Sequence, residues 1–217
     1  MLDALKQEIF EAIIYLNEQH VRDMGKGNVS LIDRTNNLIV TEPDGMNNLT
    51  DADDILVCDL FGNVVEGSGR PHRDLAAHVA LYRAFPQIMS VAHSHTPYAT
   101  AWAQAGRDIP IYGTSHMDVF AETVPCTREI TAQEAEENYP VSMGTVIAEE
   151  FQKRSMDALQ VPGVLLFQHG AFCWGGTVMN AIHHTVALER IAKMAYLTEK
   201  INPDVIGTKR NISKRIL

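Results

Sequence analysis

The chain has 217 residues, of which 46% are hydrophobic and 21% are charged, and its formal net charge at pH 7 is −9. This composition is typical of an ordinary globular protein with a substantial core, and we predict a single domain over residues 1–217. The acidic balance argues against a nucleic-acid partner, because binding to a phosphate backbone depends on clustered Lys and Arg.

Two further features bear on the compartment. No apolar run approaches the roughly 18 residues that a membrane span requires. Cys58, Cys126 and Cys173 are odd in number and widely separated, so they predict neither a disulfide framework nor a zinc site with sulfur ligands. We therefore expect a cytoplasmic protein.

The N-terminal half shows helical apolar spacing first and short strand-like runs afterwards. Gly27-Asn28 lies at the break, where it is either a turn or a place where exposed N–H groups hold an anion. The predicted elements are a helix ending near His20, strands over 29–32 and 38–41 joined as a hairpin, strands over 55–59 and 64–67, and a helix over 74–85 ended by Pro86.

The C-terminal half alternates short apolar runs with helical patterns. The acidic stretch 131–138 is interpreted as a solvated helix or loop without a site. The order of elements predicts an α/β protein with three α/β/α layers around a mostly antiparallel sheet. The other predicted elements are strands over 88–92, 109–112, 119–124, 164–167 and 172–174, and helices over 97–105, 144–153 and 177–200.

The most informative motif is His93-Ser94-His95, which follows a buried apolar run. Side chains two residues apart in an extended strand lie on the same face, so both imidazoles can reach one ion. Such a pair also occurs as hydrogen-bonded core or surface residues, and the motif alone is weak evidence for a metal.

Two other residues strengthen the metal hypothesis. His169 follows a second buried strand and precedes Gly170, and Asp74 lies near the start of a helix. His169 can equally be a turn residue, and Asp74 can be a helix cap. Together with His93 and His95 they supply three nitrogens and one oxygen, the ligand set expected for zinc or a similar divalent ion.

These residues belong to a larger set of motifs that resembles the class II aldolase and adducin family, and most closely its L-ribulose-5-phosphate 4-epimerase branch. The resemblance extends in family order from about Leu2 to Met194. The matching motifs are Gly27-Asn28-Val29-Ser30, Asp74, His93-Ser94-His95, Trp102 to Gly106, Gly113 to Asp118, Pro125 to Arg128 and His169-Gly170.

The resemblance implies a class II aldolase-like fold and a catalytic metal. Zn2+, or Mn2+ or another divalent ion, would be held by Asp74, His93, His95 and His169. The ion would chelate a keto-sugar phosphate and stabilise an enediolate formed by carbon–carbon cleavage. An epimerase re-adds the aldehyde to its other face, whereas an aldolase releases it.

The family also implies a homotetramer with active sites at subunit interfaces. Asp118 matches the acid/base aspartate that reaches a neighbouring subunit's metal, although by spacing alone an exposed loop carboxylate is the better interpretation. His116, two residues away, either orients Asp118 or has no catalytic role.

The substrate-binding residues are also assigned by resemblance, and here the chain departs from the epimerase pattern. Glu42 and Asp44 replace Lys and Ser, and His72 and Arg73 replace two serines. Each carboxylate would repel a phosphate by about 1 kcal/mol or more, while Arg73 and Lys26 would attract it. The assigned residues are Gly27, Asn28, Asp44, Gly45, His72 and Arg73.

A third departure leaves alternatives open. The family's C-terminal acid/base tyrosine has no counterpart after Tyr196. The main hypothesis is a zinc-dependent sugar-phosphate 4-epimerase of the L-ribulose-5-phosphate type. The alternative is a class II aldolase acting on a related keto-sugar, sugar acid or sugar phosphate. A catalytically silent binding or assembly domain ranks last, because such domains lack the metal histidines.

Overall fold

A computed structural model describes residues 2–22, 27–45, 49–205 and 207. The helices are α1 (Leu2–Glu18), α2 (Leu75–Ala84), α3 (Pro97–Gln104), α4 (Thr114–Met117), α5 (Ala132–Arg154) and α6 (Val178–Ile201). The strands are β1 (Gly27–Asp33), β2 (Leu38–Thr41), β3 (Leu56–Asp59), β4 (Val64–Glu66), β5 (Ser90–Ser94), β6 (Gly163–Leu166) and β7 (Gly170–Gly175).

The seven strands form one sheet in the order β4-β3-β2-β1-β5-β7-β6, and every neighbouring pair is antiparallel. The predicted mixed α/β architecture with an antiparallel sheet is confirmed. β5 lies between β1 and β7, where His93 pairs with Asn28 on one side and Phe172 on the other. The histidine motif therefore lies in the interior of the sheet.

Apolar side chains pack into two clusters, and successive strand residues alternate between them, as the two-residue period of a strand requires. Val91 of β5 belongs to the cluster that contains α2 and α5, whereas Ala92 belongs to the cluster that contains α1. Residues of α6 contribute to both clusters. The full three-layer arrangement stays a prediction.

The structure differs from two of the predictions about local elements. The expected strands over 109–112 and 119–124 reduce to isolated bridges, among them the antiparallel pair of Ile109 and Val124, and α4 lies between them. The separate segments 131–138 and 144–153 join as α5, which has a kink at Asn138. No helix among the described residues has the length and apolar character needed to cross a membrane.

Helices α2 and α5 pack closely because residue 144 is glycine. A Cβ atom at Gly144 would lie 2.5 Å from the Cβ of Ala80 and 2.9 Å from the carbonyl oxygen of Ala77. Ala favours an isolated helix by about 1 kcal/mol over Gly, but neither of these neighbours can move without shifting α2.

We therefore predict that Gly144→Ala lowers the free energy of unfolding, by about 1–3 kcal/mol, because the two helices must separate. Urea denaturation followed by circular dichroism measures this change. Gly176→Ala is the matched control, since no atom of the described residues lies within 4 Å of a Cβ at that position. A Gly144→Ala protein as stable as the control would contradict the packing argument.

Candidate metal centre

Three histidines meet where β5 ends and β7 begins. His93 is the fourth residue of β5, and His95 follows the strand directly. His169 lies in the turn between β6 and β7, after Gln168 with its left-handed φ of 55°. Gly170 permits the close approach of this turn to β5, because a Cβ there would lie 2.6 Å from the carbonyl oxygen of Ser94.

The imidazole nitrogens converge on one point. The Nε2 atom of His93 lies 2.9 Å from Nε2 of His95 and 3.2 Å from Nε2 of His169. One ligand nitrogen from each residue lies within 4.8 Å of the other two. His93 is buried, and its ring stacks on Phe172 with centroids 4.2 Å apart.

The hydrogen bonds of His93 determine which of its nitrogens carries the proton. Its Nδ1 lies 2.8 Å from the carbonyl oxygen of Ala171, which can only accept, so Nδ1 donates. Burial lowers the pKa of His93 well below its ordinary value, and the ring is neutral. Its Nε2 therefore presents a lone pair to the other two rings, which suits a cation at their centre.

Asp74 lies beside this cluster. It occupies the N-cap position of α2, but its side chain makes no capping hydrogen bond. One oxygen, Oδ2, accepts a hydrogen bond from Nδ2 of Asn28 at 2.7 Å and lies 3.9 Å from Nε2 of His93. The carboxylate therefore faces the histidines, in the position of a fourth donor, and does not cap the helix.

Tyr139 was not anticipated as a site residue. Its hydroxyl lies 3.1 Å from Nδ1 of His169. Burial and the charge of Asp74 both raise the pKa of Tyr139, which indicates that the phenol faces the same cluster. The sequence signal is Asn138-Tyr139-Pro140, a place where a helix can stop and restart, at the end of the stretch 131–138 interpreted as solvated.

The residues assigned to substrate binding lie at the start of β1, in the loop after β2 and directly before Asp74. Gly27 has a φ of 119°, and a Cβ there would lie 2.9 Å from the carbonyl oxygen of His93. Asn28 is 6% exposed, and its Oδ1 has no hydrogen-bond partner among the residues that the structure describes. Asp44 forms an ion pair of 3.0 Å with Arg70, and Gly45 follows it with a φ of 74°.

His72 and Arg73 have different environments. His72 is buried and forms a hydrogen bond of 3.0 Å between its Nε2 and Oγ1 of Thr41. Burial lowers the pKa of His72 to about 4, although Asp74 and Asp44 oppose the shift. At neutral pH, His72 is therefore a neutral hydrogen-bonding group. Arg73 is exposed, and Lys26 lies outside the described residues.

Glu42 is the first residue after β2. It is 2% exposed, it accepts a hydrogen bond from the backbone N–H of Val29 at 3.0 Å, and it forms an ion pair of 2.7 Å with Arg22. Burial raises the pKa of Glu42 to about 7, against the opposing effects of Arg22 and the Val29 N–H.

Asp118 is not a member of the histidine cluster, which consists of His93, His95 and His169 among the described residues. It is exposed at the C-terminal end of α4. His116 is buried, and its Nε2 donates to the carbonyl oxygen of Glu122 at 2.9 Å. This contact holds the segment after α4 against the helix, which is a structural role for His116.

Comparison with known proteins identifies the family. The profile of the class II aldolase and adducin N-terminal domain matches residues 7–196. The chain belongs to the class II aldolase and adducin family.

Solved structures have a similar fold. An L-fuculose 1-phosphate aldolase is 26% identical over 94% of this chain and 90% of its own, with a TM-score of 0.78. YgbL of Escherichia coli is 20% identical over 98% of this chain and 96% of its own, with a TM-score of 0.72. An L-fuculose-1-phosphate aldolase from Thermus thermophilus is 18% identical over 94% of this chain and 98% of its own, with a TM-score of 0.70.

Class II aldolases generally depend on a divalent metal, and the three-histidine cluster is consistent with that property. Other shared motifs support the surrounding structure. Arg128 binds Glu134 and Glu149 of α5, and the indole N–H of Trp102 donates to the carbonyl of Ala192 at 3.0 Å.

We predict that His95→Asn lowers the bound metal to a small fraction of the wild-type content, because an amide is a weaker ligand than imidazole for a borderline metal. Elemental analysis of zinc-loaded, dialysed protein measures the metal content. His20→Asn is the control, since His20 is exposed with a φ of 54° that Asn tolerates. Unchanged zinc stoichiometry in His95→Asn would refute the metal centre.

The buried carboxylate of Glu42 gives a pH prediction. Its folded pKa of about 7 exceeds its ordinary value of 4.5, so the folded state binds the proton more tightly. Stability associated with this group is complete below about pH 4.5 and is lost as the pH rises through about 7, by about 3 kcal/mol.

Glu42→Gln removes that titration. We expect the free energy of unfolding of the wild type, relative to the variant, to decline between about pH 4.5 and about pH 7. Urea titrations of both proteins across this range test the expectation. A constant or rising difference would show that Glu42 remains ionised throughout, held by Arg22.

Proposed function

We propose that the protein is a zinc-dependent sugar-phosphate epimerase of the L-ribulose-5-phosphate 4-epimerase type. The observation that carries the proposal is the convergence of the Nε2 atoms of His93, His95 and His169 beside the carboxylate of Asp74. This donor set leaves room for substrate oxygens at a four- to six-coordinate ion.

The chain prepares these donors in two ways. Ala171 accepts the Nδ1 proton of His93 and so leaves Nε2 free for an ion. Asn28 donates to Oδ2 of Asp74 and fixes the orientation of the carboxylate. A divalent ion bound there supplies Lewis-acid polarisation of a carbonyl oxygen.

The reaction requires a proton shuttle in addition to the ion. In a 2-keto-sugar with a hydroxyl at carbon 4, a base removes the proton of that hydroxyl while the bond between carbons 3 and 4 breaks. The resulting aldehyde rotates, the bond re-forms on its other face, and the proton returns. We assign this shuttle to Asp118, whose exposed position at the end of α4 suits a residue that serves a neighbouring subunit's site.

Ion pairing answers the objection that carboxylates would repel a phosphate. Asp44 pairs with Arg70, and Glu42 pairs with Arg22. Each of these two carboxylates therefore has its own guanidinium, and its repulsion of about 1 kcal/mol is reduced. Together with the exposed Arg73, this arrangement is compatible with a phosphorylated substrate.

A class II aldolase is the second candidate. It is favoured by the 26% identity to an L-fuculose 1-phosphate aldolase over 94% of this chain. The epimerase ranks first because Asp74, the Trp102 to Gly106 stretch and the Pro125 to Arg128 stretch resemble the epimerases, and the aldolases have Glu in place of Asp74. Both reactions begin with the same cleavage.

We predict that zinc-loaded protein converts L-ribulose 5-phosphate to D-xylulose 5-phosphate without accumulating aldehyde. Nuclear magnetic resonance can follow both products in one sample, and His95→Asn protein serves as the blank. Aldehyde without the epimer would make the protein an aldolase. If neither product forms, the substrate is a different or unphosphorylated sugar or sugar acid.

The interface role of Asp118 predicts complementation between subunits. Asp118→Asn should retain zinc but lose most turnover, because the carboxylate serves a metal in a neighbouring subunit. Unfolding and reassembling Asp118→Asn together with His95→Asn should restore up to about a quarter of the sites in a randomly mixed homotetramer. Restoration fails if Asp118 acts within its own subunit or if the protein is monomeric, and light scattering distinguishes these two explanations.

A further inference from the structure

Helix α5 carries a phenol into contact with the histidine cluster. The hydroxyl of Tyr139 lies 3.1 Å from Nδ1 of His169, and the two ring centroids are 6.1 Å apart. Tyr139 is 39% exposed, so its ring is only partly enclosed by the protein. Its hydroxyl contacts the side of the His169 ring opposite to the nitrogen that faces His93.

The local backbone is built to present this residue. Asn138 has non-helical angles, φ −168° and ψ 88°, and its Oδ1 accepts the backbone N–H of Val141 at 3.2 Å. This is the bond of an N-cap residue, so Asn138 restarts the helix and Tyr139 is its first residue. Pro140 fits the first turn, where no intrahelical N–H bond is lost.

The segment before the kink is also fixed. Thr131 and Glu134 form a reciprocal capping box at the start of α5. Arg128 binds Glu134 before the kink and Glu149 after it. Ser142 donates to the carbonyl oxygens of Glu134 and Asn138 across the kink. Tyr139 therefore lies in a braced bend of the helix.

The role of His169 as a ligand decides which atom carries the proton in its contact with Tyr139. A neutral imidazole has one protonated nitrogen and one lone pair. If Nε2 of His169 donates its lone pair to an ion, the proton is on Nδ1, and the oxygen of Tyr139 accepts it. The carbonyl oxygen of Ala171 makes the equivalent contact to Nδ1 of His93.

We propose that Tyr139 is a positioning residue that accepts the Nδ1 proton of His169 and so holds its Nε2 lone pair toward the metal. This inference rests on the proposed metal centre. Outer partners of this kind orient ligating histidines and raise their basicity, and their loss commonly weakens metal affinity 10- to 100-fold. Tyr139 acts through His169 and is not itself assigned to the reacting atoms.

Tyr139→Phe tests the role, because it removes the oxygen and keeps the ring. We expect zinc to bind about tenfold more weakly in a competition titration against a chromophoric chelator. In the zinc-loaded wild type, the Nδ1 proton of His169 should give a hydrogen-bonded resonance in a histidine-selective ¹H–¹⁵N spectrum. In the variant, that proton should shift and exchange faster with water.

The matched control is Tyr112→Phe, which removes a phenol oxygen that donates to Glu199 at 2.7 Å and not to a histidine. The control should retain wild-type zinc affinity and the same His169 resonance. Equal zinc affinity and an unchanged resonance in Tyr139→Phe would overturn the positioning role. Wild-type protein that binds no zinc would instead overturn the metal centre, so the two failures are distinguishable.

Discussion

The hydrogen bond from Nδ1 of His93 to the carbonyl oxygen of Ala171 is the contact on which the site depends. It is possible because β5 and β7 are antiparallel neighbours, with Ser94 opposite Ala171. The bond fixes the proton on the side of the ring away from the cluster. The pairing of two strands therefore decides the chemical state of a side chain, and the three-nitrogen cluster follows from it.

The same pairing limits what can change in the interior of the sheet. His93 is buried and stacked on Phe172, so it cannot rotate to find another partner. A buried imidazole with a free lone pair is costly unless something satisfies it. Asp74, on the other hand, lies on a helix at the edge of the site and is held by Asn28 from β1. The centre thus joins a rigid strand to a separately supported carboxylate.

The sequence predicted the parts of the fold that have local causes. The two-residue spacing of His93 and His95 placed both rings on one side of a strand, and helical apolar spacing located α1, α2 and α6. The strands expected over 109–112 and 119–124 were wrong, because apolar runs do not reveal whether a pairing partner is available. Ile109 and Val124 pair there as an isolated bridge and not as part of a strand.

Tyr139 and the charge partners of the loop could not be found in this way. The contact of Tyr139 joins residues 30 positions apart, and the acidic residues around it look like a solvated surface. Glu42 and Asp44 suggested repulsion of a phosphate, but their effect depends on Arg22 and Arg70, whose positions only the folded chain provides. The sequence gives the number of charged residues, whereas the repulsion of a phosphate depends on how those charges are paired.

These observations separate the roles of the buried and exposed groups. The histidines that would hold an ion are fixed by the sheet, and the cleavage step common to an aldolase and an epimerase needs little more than this cluster and a base. Under the proposed function, the fate of the aldehyde depends on the groups around it, and the proposed proton shuttle Asp118 lies exposed at the end of α4. Related proteins can therefore keep the same metal centre and differ in product, because changing an exposed residue costs far less stability than changing a buried one.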